Sequence, residues 1–200
     1  MLTQSGAVPA DLIELGRITG AYGVHGWVKI EPYAAQSAVL LGVRQWWLGR
    51  EADVAGGGAA QAPRPVRVLR SRPQGSSIVA HLEGVDDRTV AEALKSQRVW
   101  VPRSTFPAPD DDEYYWVDLI GCAVWGVDEA GGPVMLGSVV QVADNGAHAV
   151  LEVQRLSEAG APAVDAKGRP VTMLVPFVEA HVGSVDLAER RIDTDWPADF

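Results

Sequence analysis

Gly20-Ala-Tyr-Gly-Val-His-Gly26, running directly into Trp27-Val-Lys-Ile-Glu31, decides the fold of the first half of the chain. Its glycine spacing superficially resembles a phosphate-cradling loop. A dinucleotide fingerprint, however, needs GxGxxG between a strand and a helix. The next residues alternate instead: within His25–Glu31, Val28 and Ile30 fall on one face, and Trp27, Lys29 and Glu31 on the other. A two-residue period is that of a half-buried β-strand. A Walker A loop is excluded too, because the glycines lead into no Gly-Lys-Ser/Thr. Gly16, Gly20, Gly23 and Gly26 therefore read as a tight strand–loop–strand connection.

Outward from that hairpin the pattern stays β. Val66-Arg-Val-Leu-Arg70 and Ser77-Ile-Val-Ala-His-Leu82 continue it in the first half, and Ala123–Val127, Val134–Ala143, Ala149–Gln154 and Arg191–Trp196 in the second. These segments are Val/Ile-rich and bounded by turn residues. Asp144-Asn-Gly-Ala147 and Glu129-Ala-Gly-Gly132 predict hairpin turns, since Asn-Gly and Gly-Gly tolerate positive φ. One short helix is expected in the first half. Asp86 or Asp87 caps it, and Arg88–Lys95 places Val90, Ala91 and Leu94 along one face. A second short helical turn is expected near Phe177–His181. Short strands with few helices predict an all-β protein of two small barrels or sandwiches.

The boundary falls at Pro107-Ala-Pro-Asp-Asp-Asp-Glu113, where prolines block pairing and consecutive acids stay solvated. The expected organisation is a domain over 10–106, an acidic linker over 107–113 and a domain over 114–200. Ala52–Pro65 and Ser157–Pro170 read as surface loops. The net charge of −9 is divided unevenly: residues 1–109 carry 12 Lys+Arg against 9 Asp+Glu, and residues 110–200 carry 5 against 17, so +3 and −12. The first half could approach phosphate, and the second suits a basic protein. The single cysteine, Cys122, permits no intrachain disulfide, and a reducing compartment is the simpler reading. No secretory signal or apolar stretch of membrane-spanning length is read, so a soluble cytoplasmic protein is expected.

No catalytic constellation emerges. His25, His81, His148 and His181 are scattered without metal-ligand spacing, so no metal and no cofactor are expected. Cys122 opens a valine-rich strand and reads as a small buried thiol. The acids Asp110–Glu113 are adjacent, so their side chains diverge rather than converge on a substrate. Arg17, Tyr22, His25 and Lys29 surround the glycine loop and could touch RNA phosphate or stack a base; a tyrosine there also serves to cap a barrel. Arg64, Arg67, Arg70 and Arg72 form a basic stripe, either an edge strand protected by charge or an RNA contact. Tyr114-Tyr-Trp-Val-Asp-Leu-Ile-Gly121 places three aromatics after the acidic run. If extended, Tyr114 and Trp116 cannot share a face with Tyr115, so at least one faces the core and at least one faces out. An exposed aromatic beside acids would anchor a basic partner; alternatively all three seal the barrel end.

Several motifs in order resemble the RimM family of ribosome maturation factors. Gly16-Arg-Ile-Thr-Gly-Ala-Tyr-Gly-Val-His-Gly-Trp-Val-Lys-Ile30 is similar to its opening signature, and Tyr114–Cys122 to the start of its second domain. Leu136-Gly-Ser-Val-Val140 and Asp144–Leu151 resemble its middle; Leu174-Val-Pro-Phe177, Val185-Asp-Leu187 and Ile192-Asp-Thr-Asp-Trp196 resemble its end. The likeness runs from about Leu12 to Phe200. It implies a six-stranded N-terminal β-barrel and a C-terminal PRC-barrel. It further implies a non-enzymatic monomer that binds the free small ribosomal subunit, assists head maturation and 16S rRNA processing, and holds a basic head protein, number nineteen of the small subunit. The family's tyrosine pair falls on Tyr114 and Tyr115; with Trp116 and Asp118 these form the expected ribosome- and protein-binding set, and Arg17, Tyr22, His25 and Lys29 the expected rRNA contact. His25 departs from the family, where Arg is common, which would weaken a phosphate contact there or make it pH-dependent. Two other classes remain open: an enzyme holding a flavin or nucleotide in such a barrel, and an adaptor for a basic protein unrelated to the ribosome.

Overall fold

The computed structural model describes residues 7–33, 37–50, 62–109, 113–157 and 160–199. They belong to two compact units, Met1–Ala108 and Pro109–Phe200. Asp110–Asp112 of the expected linker, residues 52–61 of the first expected loop and 158–159 of the second lie outside the described residues.

The first unit runs β1 (Leu12–Tyr22), β2 (Trp27–Pro32), α1 (Ser37–Gly42), β3 (Gln45–Gly49), β4 (Arg64–Gln74), β5 (Ser77–Leu82), α2 (Arg88–Ala93) and β6 (Arg98–Pro102). The strands pair antiparallel in the order β1-β2-β5-β4-β3-β6, and β6 returns to β1, closing a six-stranded barrel. The long β1 makes closure possible. Its N-terminal part pairs with β6 and its C-terminal part with β2, with irregularities at Glu14/Gly16 and Ile18/Gly20 that let it bend. At Gly16 any side chain is excluded, since a Cβ would sit 2.6 Å from the Glu31 carbonyl oxygen. The interior is filled by inward rows that include Leu15, Ile18, Val28, Ile30, Ile78 and Leu82, all at 1% exposure or less.

Among the described residues this unit has two short α-helices, where the sequence predicts one. α1 buries Val39 and Leu40, but six residues are too few to show a 3.6-residue period. α2 is the expected helix. Asp87 is its cap, accepting from the Val90 amide at 2.9 Å. Its buried face is Ala91 and Leu94; Val90, expected on that face, is 41% exposed, since one i,i+3 pair already fills the contact. A 3-10 turn at Arg103–Thr105 follows β6.

The second unit runs α3 (Trp116–Leu119), β7 (Ala123–Val127), β8 (Pro133–Asp144), β9 (Ala149–Arg155), β10 (Thr172–Pro176), β11 (Val182–Asp186) and β12 (Arg191–Pro197). Its six-stranded sheet has the order β10-β9-β8-β7-β12-β11, antiparallel except for the parallel β12–β7 pair. Buried residues of every strand but β11, among them Val124, Leu151, Val153, Val175 and Ile192, make one core with Leu119 of α3, and the half-buried Val182 and Val185 of β11 pack against it. The Asp144–His148 turn is held by side chains: the Gly146 amide donates to Asp144 Oδ1 at 2.7 Å and the His148 amide to Asn145 Oδ1 at 3.0 Å. The helical turn expected near Phe177–His181 is one turn long, with the His181 and Val182 amides both donating to the Val178 carbonyl at 2.9 Å.

Candidate functional site

The aromatic segment of the second unit is not extended. Glu113–Tyr115 enter irregularly, and Trp116–Leu119 turn helical with Tyr115 as cap residue. The alternation expected of a strand therefore does not apply. Tyr114, Tyr115 and Trp116 are all half-buried, with none fully outward. Leu119 anchors the short helix in the core at 0% exposure, and the Cys122 thiol donates to the Asp118 carbonyl at 3.4 Å. Burial pushes the Cys122 thiol up from its ordinary value, so Cys122 is a packing residue and not a nucleophile.

Tyr114 meets Phe177 edge-to-face, with ring centroids 6.1 Å apart at 79°. The two rings form one end of a groove of about 340 Å³ that continues along Val178, Glu179, Val182 and Val185. Its far wall is β11, which pairs only with β12 among the described strands. Gly183 and Ser184 of that strand are exposed. The groove is thus apolar and aromatic at its base, with Glu179 on its rim and open backbone beside it. Phe177, Val182 and Val185 are the parts that sequence reading missed. Phe177 stands 63 positions from Tyr114 (177 − 114), and only the fold brings them together.

Around β11 and β12 the polar groups tie the sheet together. Ser184 Oγ donates to Asp193 Oδ2 at 2.9 Å, and Arg191 donates from Nε and Nη2 to Asp193 Oδ1 at 2.8 and 2.7 Å. The Arg191 hydrogen bonds hold the Asp193 carboxyl below its ordinary value. Arg191 also lies over Trp125 at 4.4 Å. His181 pairs with Asp195 at 2.9 Å and meets Trp196 edge-on. Arginines and acids here satisfy one another, while Glu179 lines the groove beside the aromatic pair.

In the first unit the four residues expected at rRNA are spread. Arg17 is paired to Glu31 at 3.0 Å. His25 is exposed in the Gly23–Gly26 turn, and Lys29 is exposed on β2. Tyr22 ends β1 and contacts groups absent from the expected set: its hydroxyl donates to Gln74 Oε1 at 3.2 Å, and the Arg72 guanidinium sits 5.6 Å from its ring centre. The same guanidinium is 5.8 Å from Trp27, which stacks on His81 at 5.8 Å and 14°. The signal for Arg72 was the basic stripe, and for Trp27 its outward position in the alternation; their convergence was not legible. Among the described residues no group of three or more His, Cys, Asp or Glu side chains is placed to hold a metal ion, and no helix is long and apolar enough to cross a membrane.

A closed six-stranded barrel followed by an acidic six-stranded unit with an aromatic groove defines a two-domain β protein. The family model of the RimM N-terminal domain matches residues 13–106, and that of the RimM PRC barrel domain matches residues 116–200. A curated relative, the ribosome maturation factor RimM of Bordetella parapertussis, is 56% identical over 202 residues, covering 98% of this chain and 97% of that protein. The ribosome maturation factor RimM of Cupriavidus taiwanensis is 42% identical, covering 96% of this chain and 89% of that one. A solved structure of the N-terminal domain of RimM from Thermus thermophilus is 28% identical over 48% of this chain and 95% of its own, with a TM-score of 0.36. The chain belongs to the RimM family of ribosome maturation factors.

Proposed function

We propose that the chain acts without catalysis, in the cytoplasm and as a monomer, by docking on the free small ribosomal subunit through its second unit. The observation that carries this reading is the Tyr114–Phe177 groove in a unit whose residues 110–200 have a net charge of −12. An aromatic pocket with Glu179 on its rim, in an acidic unit, suits a basic protein that presents an apolar or aromatic anchor among cations. Family membership supplies the ribosomal context, and the partner proposed is the basic head protein numbered nineteen. Tyr114 shapes the pocket; Tyr115, Trp116 and Asp118 sit on the short helix that positions it. Binding one conformation of the head more tightly than others is enough to bias its maturation and, through it, 16S rRNA processing.

The test is sedimentation of tagged protein from lysate through a sucrose gradient. Wild type is expected with free small subunits and not with complete ribosomes. Tyr114→Ala/Tyr115→Ala should remain at the top while keeping a native circular-dichroism spectrum. Glu179→Lys, on an exposed rim position, should weaken association without touching the core. Wild type that stays at the top at low salt would refute the ribosomal reading.

A further inference from the structure

The outer surface of the barrel carries an arrangement that docking by the second unit does not use. Cross-strand registers set Tyr22 opposite Trp27, Trp27 opposite His81, and His81 opposite Arg70, one row over β1, β2, β5 and β4. The adjacent row sets Lys29 opposite Val79 and Val79 opposite Arg72. Directly opposed residues share a face, so the rings lie on one surface with Lys29, Arg70 and Arg72 beside them. Arg72 reaches across the sheet, 5.6 Å from the Tyr22 ring centre and 5.8 Å from that of Trp27, with its Nη1 donating to Gln74 Oε1 at 2.9 Å.

Strand β4 carries Arg64, Arg67, Arg70 and Arg72 and no acid, in a chain whose net charge is −9. Strand β4 pairs with β3 over Arg64–Arg67 and with β5 over Val68–Gln74, so edge protection accounts for its charge but not for the row of rings that Arg72 reaches across. Packing accounts for Arg72 but not for Lys29 and Arg70, which are exposed and have no ion-pair partner among the described residues. Arg17, by contrast, already has Glu31.

We infer that this face is a binding surface for single-stranded RNA. Tyr22, Trp27 and His81 offer ring surface for an unpaired base, and Lys29, Arg70 and Arg72 take the adjoining phosphates. Stacked aromatics with interleaved guanidinium groups suit single strands, whose bases are free to splay; a duplex hides its base faces and meets only the charges. This deepens the proposed function by giving the barrel its own ligand class, and it rests on that reading only for the identification of the RNA as ribosomal.

The experiment is fluorescence anisotropy of the purified full chain with a labelled single-stranded RNA 12-mer and, separately, a duplex of equal length, from 50 to 200 mM salt. Wild type should prefer the single strand. Arg70→Ala/Arg72→Ala should bind about tenfold more weakly at low salt, and its slope of log K against log salt should shrink by about 1.4, at about 0.7 per phosphate contact. Arg72→Lys should keep the slope while losing affinity, and so should Trp27→Leu, because each removes ring contact but not charge. Tyr114→Ala/Tyr115→Ala should bind RNA as wild type does, so loss of subunit docking and loss of RNA binding separate cleanly. No binding at 50 mM salt, equal affinity for duplex, or an unaltered Arg70→Ala/Arg72→Ala variant each overturns the inference.

Discussion

Gly23 and Gly26 stand in one turn with nearly the same backbone, φ of +70° and +73°, but in different surroundings. A Cβ at Gly23 meets nothing within 4 Å, whereas at Gly26 it would overlap the Val85 carbonyl group. Gly23→Ala should therefore cost only the left-handed conformation, about 1–2 kcal/mol. Gly26→Ala adds overpacking against backbone, about 1–3 kcal/mol more. The second cost is not easily relieved, because the Val85 carbonyl accepts from His81 Nε2 at 3.1 Å and His81 stacks on Trp27. Moving the carbonyl disturbs the face proposed for RNA. Thermal unfolding followed by circular dichroism checks this: at about 4–8 °C per kcal/mol for a unit of this size, Gly26→Ala should fall well below Gly23→Ala. Only the transition of the first unit should move. Equal losses in the two variants would refute the close approach of Val85 and, with it, the way the turn is braced against the Val85–Asp86 segment that leads into α2.

The second unit offers two further tests. Cys122 is fully buried and its thiol is pushed up by that burial; folded protein at pH 8 should resist a disulfide reagent and react at once in denaturant, and rapid reaction of the folded chain would contradict the packing. The Asp193 carboxyl is held below its ordinary 3.8, chiefly by the Arg191 side-chain hydrogen bonds. Its stabilising contribution is then fully present above the ordinary aspartate range and lost as pH falls through the lower folded value. Asp193→Asn should flatten that acid limb of a stability–pH curve, and an unchanged limb would show that the Arg191–Asp193–Ser184 contacts contribute nothing measurable.

Elements with one wet face were legible in the sequence. β2, β5 and β9 alternate or run apolar between turn residues, and their expected spans lie within two residues of those observed. β1 was hidden, because Gly16 and Gly20 interrupt the period at the irregularities that let it pair with two neighbours. β3 and β6 escaped for the opposite reason: Trp46, Trp47 and Leu48, like Val99, Trp100 and Val101, are buried on both faces, and a strand with no wet face has no period of two. β11 gave no signal, since Val182-Gly-Ser-Val-Asp186 mixes half-buried and exposed positions without an apolar row. The aromatic segment misled because four helical residues cannot declare a period, and strand alternation was the wrong ruler for Tyr114–Trp116.

The same limit explains the candidate sites. Composition could find the polarity of each half, because charge adds along the chain without knowledge of the fold. It could not find Tyr114 against Phe177, or Arg72 over Tyr22 and Trp27, since each contact joins separate elements. The fold adds direction to composition. In the second unit Arg191 and Arg169 are spent on Asp193 and Asp165, leaving the unit's excess of acids uncompensated, with Glu179 at the groove. In the first unit Arg17 and Arg98 are spent on Glu31 and Glu14, leaving the cations of β4 in excess on the outer barrel face. Two units of opposite local sign in one chain suit different partners through the same Coulombic term, each disfavouring a partner of its own sign. On the proposed readings, a barrel that binds RNA by itself and is tethered to an acidic domain gains selectivity over one that is basic throughout: the acidic unit adds affinity where a basic protein lies within its reach and adds none on bare RNA.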